Sequence, residues 1–215
     1  MAIEDDNLHF DREQGVIADA NSIDNSSANV DNVTTLTGGK VGDTDGNTVI
    51  IGKKQIDTSD SEAVQREIDD FGRLYANVDI EHSRVITQSG EVFTLQGTES
   101  SVNPAIVGSD ALRGATIIHN HPPASGQHMG DSFSLEDLRF SARHHTGTQY
   151  LFSGERRDSF AFTKPISEND VYDAWKDAES KMLQRAKDGI LSVHHYQAGI
   201  LAVLNEDKER FDYSG

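Results

Sequence analysis

Between residues 119 and 137 the chain reads HNHPPASGQHMGDSFSLED: three histidines, two aspartates and a glutamate within nineteen residues. His119 and His121 end the apolar stretch ATII. In an extended strand residues two apart leave the same face, so both imidazoles can reach one ion. An isolated H-x-H also fits strand-end histidines that bond a carbonyl. Ser134 and Asp137 stand three apart in SLED, which is also how a helix begins, a Ser followed three residues later by an acid. Asp137 is therefore either a capping acid or a third ligand. A catalytic zinc takes about three protein ligands and an open position for water. It makes that water acidic, and a nearby carboxylate takes the proton.

Counting excludes several other chemistries. Cysteine is absent, which removes disulfides, cysteine proteases, zinc fingers and Cys-dependent deaminases together. Any transition-metal site must use His, Asp and Glu. There is no HExxH, and no Glu follows His121 at the spacing of a cupin. Asp45-Gly46 lies in DTDGN, part of a calcium loop whose twelfth position would be Lys54 rather than Glu, so a turn is the reading. Gly38-Gly39-Lys40-Val41 lacks the spacing and hydroxyl of a phosphate loop. The formal charge of −17 argues against nucleic-acid binding.

The elements that must position these residues begin, on this reading, near Ser59. Residues 1–60 carry 12 acidic against 4 basic residues and few large apolar ones. Residues 1–58 are expected to be a flexible acidic segment with a possible hairpin at 41–51. SDSEAVQREIDDFGRLYA places Val64, Ile68, Phe71 and Tyr75 on one helical stripe. HSRVITQSGEVFTLQG is a hairpin turning at Ser89-Gly90, NPAIVGSDALRG holds a short helix, and ATIIHNH is a buried strand. SLEDLRFSARHH is a helix with Leu135, Leu138 and Ala142 inward, and TQYLFS and DSFAFT pair across Gly154-Glu155. Lys164-Pro165 closes the sheet. Residues 166–215 are expected as a helical extension: a helix capped by Ser167 that stops at Gly189, and a last one through HHYQAGILAVLNEDKERF. The fold class is α+β, a mixed sheet flanked by helices.

H-x-H-P followed by S-x-x-D resembles the JAMM (JAB1/MPN+) metalloprotease family, through His119-Asn120-His121-Pro122 and Ser134-Leu135-Glu136-Asp137. The resemblance covers roughly residues 59–165 and implies a cytidine-deaminase-like three-layer fold. It implies one zinc per chain held by His119, His121 and Asp137, with Ser134 stabilising the oxyanion. The family's distant Glu, the general base, falls on Glu81 in DIEHSRVI, with Glu91 and Glu99 as other candidates. The implied reaction is hydrolysis of a peptide or isopeptide bond, as in relatives that cut ubiquitin-like conjugates. EHSRVI, HNHP, FSLEDLRF and the trailing HHYQAGILAVL resemble most the JAMM-like domains of phage structural proteins and polymorphic toxins. Twelve residues separate His121 from Ser134, more than the usual motif has, and that loop carries His128 and Asp131 as spare ligands or part of a flap.

The rival reading is a non-catalytic MPN-like interaction module in a phage or secretion assembly. A DNA-linked role, as in repair-associated relatives with HNHP, is disfavoured by the charge. Expected partners are a protein or peptide substrate, and an assembly partner through the N-terminal segment or C-terminal helices. With no signal peptide in MAIEDDNLHF and no long apolar run, a soluble, cytoplasmic protein is expected, away from membranes. His144-His145 reads as a cation pair at a helix C-terminus, His194-His195 as surface or packing, and Trp175 with Tyr172 as helix packing.

Overall fold

The computed structural model describes residues 47–122, 132–189 and 195–215. In chain order these form β1 (Val49–Gln55), α1 (Ser61–Tyr75), β2 (His82–Ile86), β3 (Glu91–Gln96), a 3₁₀ turn (Pro104–Val107), α2 (Ser109–Leu112), β4 (Thr116–Asn120), α3 (Leu135–His144), β5 (Gln149–Ser153), β6 (Arg156–Phe162), α4 (Glu168–Lys187), α5 (Tyr196–Leu204) and β7 (Phe211–Ser214). The strands make one mixed sheet in the order β1-β3-β2-β4-β5-β6-β7. Its pairings are antiparallel except β4 with β5, which run parallel and are joined through α3.

Alternation along the strands sorts the core into two faces. Ile86, Val92, Ile118 and Phe152 turn toward Ile68 and Phe71 of α1. Here α1 lies close to the sheet: a Cβ on Gly72 would stand 2.4 Å from the Phe152 ring. On the other face, Leu151, Phe160 and Phe211 meet α3, α4 and α5 through Leu138, Val171, Trp175 and Ile200. Val85, Leu95 and Ile117 pack there against Leu112 of α2. The helical stripe of α1 and the inward set of α3 match the sequence pattern. Asp60 caps α1 by accepting from the Glu62 N–H at 2.9 Å. Among the described residues no helix is long and apolar enough to cross a membrane.

The structure differs from the expected boundaries at both ends. Among the described residues the first element is β1, which begins ten residues before Ser59. Val49–Ile51 of the expected 41–51 hairpin belong to this strand, which pairs with β3; residues 41–46 lie outside the described residues. β1 escapes a reading by apolar pattern because it is an edge strand. Val49 and Ile50 are 52% and 46% exposed, and the backbone ladder and a Lys53–Glu91 ion pair hold it.

At the other end, the described part of 166–215 is not all helix but adds a strand to the sheet. The expected last helix stops at Leu204, and Phe211–Ser214 adds a strand beside β6, so Lys164-Pro165 does not close the sheet. The Asn205 side chain enforces the change by bonding both the N–H and the C=O of Tyr213, at 2.9 and 2.8 Å. Trp175 is buried, but Tyr172 is 43% exposed and does not share its packing.

His144 is not disposed as the exposed cation expected at the end of α3. Burial, then Arg143, lowers the His144 pKa, and its ring packs on Phe140 with centroids 4.5 Å apart. His145 is the left-handed C-cap of α3, at φ 52°.

Candidate metal centre

The site forms where the C-terminal end of β4 faces the N-terminal turn of α3. Ile117 and Ile118 bury β4 on both sides, and alternation sends His119 to the α3 face. His121 follows two residues on and keeps β5 company through its N–H, which donates to the Phe152 C=O at 2.9 Å. The two imidazole rings lie 5.2 Å apart, and the edge of buried Phe133 walls off His119 at 5.7 Å.

Asp137 reaches the same place from α3. The two readings of SLED prove compatible, because the carboxylate divides its oxygens. Oδ2 accepts from the Ser134 N–H at 2.8 Å and from its Oγ–H at 2.7 Å, while Ser134 Oγ accepts from the Asp137 N–H at 3.2 Å, a complete capping box. Oδ1 points the other way and lies 3.6 Å from His119 Nε2. One donor atom each from His119, His121 and Asp137 falls within 4.8 Å of the others. Ligand atoms of a tetrahedral zinc stand about 3.3 Å apart, so the group closes on an ion with small movements.

The donors suit a cation electronically. His119 is held well below the ordinary histidine range, first by burial and then by His121, with Asp137 opposing. It is a neutral imidazole near pH 7, the form that ligates. Its Nε2 is buried with no hydrogen-bond partner, a cost of about 1–3 kcal/mol unless a ligand takes it up. The buried Ser83 hydroxyl, opposite His119 in the β2–β4 register, is likewise unpartnered. Asp137 is held below the usual carboxylate range. Burial works against this, and the two histidines and the Ser134 hydrogen bonds outweigh it.

Of the three glutamates considered as base, the structure brings Glu81 to this cluster. The β2–β4 register pairs Ser83 with His119. The ladder ends at that pair, and alternation along β2 gives Glu81, two residues before Ser83, the face of His119. Burial, then the negative charge of Asp137, pushes the Glu81 carboxyl up to about 8, and a hydrogen bond from Val102 partly offsets them. Glu91 lies at the opposite end of the β2–β3 hairpin in its ion pair with Lys53 at 2.8 Å, and Glu99 is exposed after β3. His128, Asp131 and His194 lie outside the described residues, and His195 is the N-cap of α5.

Two groups went unread in the sequence. Asn120 is fully buried on the face opposite the histidines. Its signal was available: alternation puts a polar residue where an apolar one belongs. The second is a cluster of buried Ser132 and Asp158 with half-buried Arg156 and Tyr213, which sequence distance conceals.

No family model, curated protein or solved structure matches this chain. Its chemistry must be read from the residues themselves.

Proposed function

We propose that the chain is a zinc-dependent hydrolase of the JAMM type that cleaves a peptide or isopeptide bond. One observation carries the reading: the His119–His121–Asp137 donor set closes beside a half-buried glutamate whose carboxyl feels the Asp137 charge, with an unpartnered, buried imidazole nitrogen in the set. The sheet, with α1 on one face and α3 to α5 on the other, supports a JAMM-like three-layer arrangement. The setting inferred from the same resemblance is a phage structural protein or a secreted toxin, with a protein or peptide as substrate.

His119, His121 and Asp137 would hold the ion. When bound, zinc supplies a Lewis acid that makes water acidic near neutral pH. Glu81 has a proton affinity suited to exchange near neutral pH, so its carboxylate takes a proton from the attacking water and passes it to the leaving nitrogen. Ser134 donates its hydroxyl proton to Asp137 in the resting site. Turning that hydroxyl to a developing oxyanion leaves Oδ2 still held by the Ser134 N–H.

A panel of fluorogenic peptide and isopeptide substrates tests this. Glu81→Gln should keep zinc and fold and lose roughly 10²- to 10⁴-fold in kcat. Ser134→Ala should lose roughly 10²- to 10³-fold. Full turnover in Glu81→Gln, or the loss appearing in Glu91→Gln instead, would refute the assignment. Zinc binding with no turnover on any substrate would favour the non-catalytic module.

A further inference from the structure

Glu81 sits where two strands part. The β2–β4 ladder runs from Ile86 and Thr116 to Ser83 and His119 and stops there. At the next position the backbones no longer reach each other, and the side chain of Asn120 spans the gap. Its Oδ1 accepts from the His82 N–H at 2.7 Å, and its Nδ2 donates to the Ile80 C=O at 3.1 Å. These two groups flank Glu81 in the chain. From the two residues after β3 the Glu81 backbone is held as well: its N–H donates to the Thr98 C=O at 2.7 Å, and its C=O accepts from the Gly97 N–H at 2.9 Å. The Ile80 carbonyl takes a second bond, from His82 Nδ1 at 3.0 Å, and the His82 ring stacks on Tyr75 of α1 with centroids 4.3 Å apart.

We infer that Asn120 is the positioning residue for Glu81, fixing the backbone on both sides of the glutamate so that its carboxylate stays beside the His119–His121–Asp137 cluster. The inference rests on the proposed role of Glu81. Alternation along β4 directs Asn120 to the α1 face, away from both histidines, so it acts from behind the site and touches no reacting atom. The chemistry is selective. An N–H can only donate and a carbonyl can only accept, so the spanning group needs an acceptor and a donor side by side, which an amide provides. Aspartate would turn an oxygen toward the Ile80 carbonyl, alanine would reach neither group, and threonine is too short to hold both.

The test uses the zinc-loaded full chain carrying Asn120→Ala or Asn120→Thr. Threonine, at home in a strand, is the fallback if alanine fails to fold. Amide exchange at Glu81 and His82 should accelerate by roughly 10-fold or more. Zinc affinity, measured by competition with a chromophoric chelator, should stay within about three-fold. A residue supporting the ligands themselves would cost roughly 10- to 100-fold there. The kcat should fall roughly 10-fold with KM unchanged, and the same substitution in a Glu81→Gln background should cost nothing further. Unchanged exchange at His82, a zinc loss beyond roughly 10-fold, or an additive kcat loss in the double variant would each overturn the inference. A wild-type chain that binds no zinc would defeat the proposed function instead, and the exchange measurement alone would then decide whether Asn120 holds the backbone at Glu81.

Discussion

Ser132 and Ser134 flank Phe133, and each hydroxyl goes to a different carboxylate, buried Asp158 and half-buried Asp137. Ser132 bonds Asp158, which also accepts from Tyr213 at 3.1 Å and from the Arg156 guanidinium at 2.7 Å. Arg156 in turn donates to the Tyr213 hydroxyl at 2.8 Å. Asp158 is thus neutralised, and this cluster's polar groups are spent on one another. Ser134 bonds Asp137, whose other oxygen faces a neutral imidazole. Among the described residues no lysine or arginine pairs with Asp137. The closed cluster ties β6 and β7 to the start of α3 and is structure. The open one leaves a negative charge and an unpartnered nitrogen facing one another, which is what a cation needs.

The contrast can be broken by removing each carboxylate. Asp158→Ala takes away the acceptor of hydrogen bonds from Ser132, Arg156 and Tyr213 and should cost roughly 3 kcal/mol of unfolding free energy, with zinc affinity little changed. Asp137→Asn should do the reverse: it still accepts from Ser134, so the metal-free protein should lose less than about 1 kcal/mol, while zinc binding collapses. Urea denaturation with a chelator present, together with a zinc titration, reads both. Equal destabilisation by the two variants would make the clusters alike.

A smaller effect lies in pH dependence. The Glu81 pKa is raised from 4.5 to about 8, so between those values the folded metal-free protein holds a proton that the unfolded chain has lost. Stability therefore falls as pH rises through this window, by on the order of 3 kcal/mol at pH 7. His119, held low by burial, contributes with the opposite sign below its ordinary pKa. The quantity to measure is accordingly the difference between wild type and Glu81→Gln. It should widen in favour of Glu81→Gln from pH 4.5 to 8; a flat difference would place Glu81 in solvent. A small change is also expected in the stability of Ser134→Ala, a cap loss of about 1 kcal/mol readable by the same denaturation. A loss above roughly 3 kcal/mol would mean that Ser134 closes its cluster as Ser132 does.

What could be read in the sequence was local. The two-residue spacing of His119 and His121 and the three-residue spacing of Ser134 and Asp137 each follow from the geometry of one element. The stripes of α1 and α3 were legible for the same reason. Long-range partners were not. Asp158 meets Tyr213 across 55 residues and Asn120 meets Ile80 across 40, and no periodicity marks either pair. The strands β1 and β7 were missed because one is an exposed edge and the other has four residues, too few for alternation to stand out. Glu81 was placed through the family resemblance, since a glutamate ahead of a strand has no pattern of its own.

Zinc content is the most direct test of the open cluster. Elemental analysis of the purified full chain, after equilibration with zinc and removal of excess, should give about one zinc per chain. His121→Ala should lose most of it while melting as a folded protein. Retention of a full equivalent of zinc in folded His121→Ala, or none in the wild type, would contradict the account.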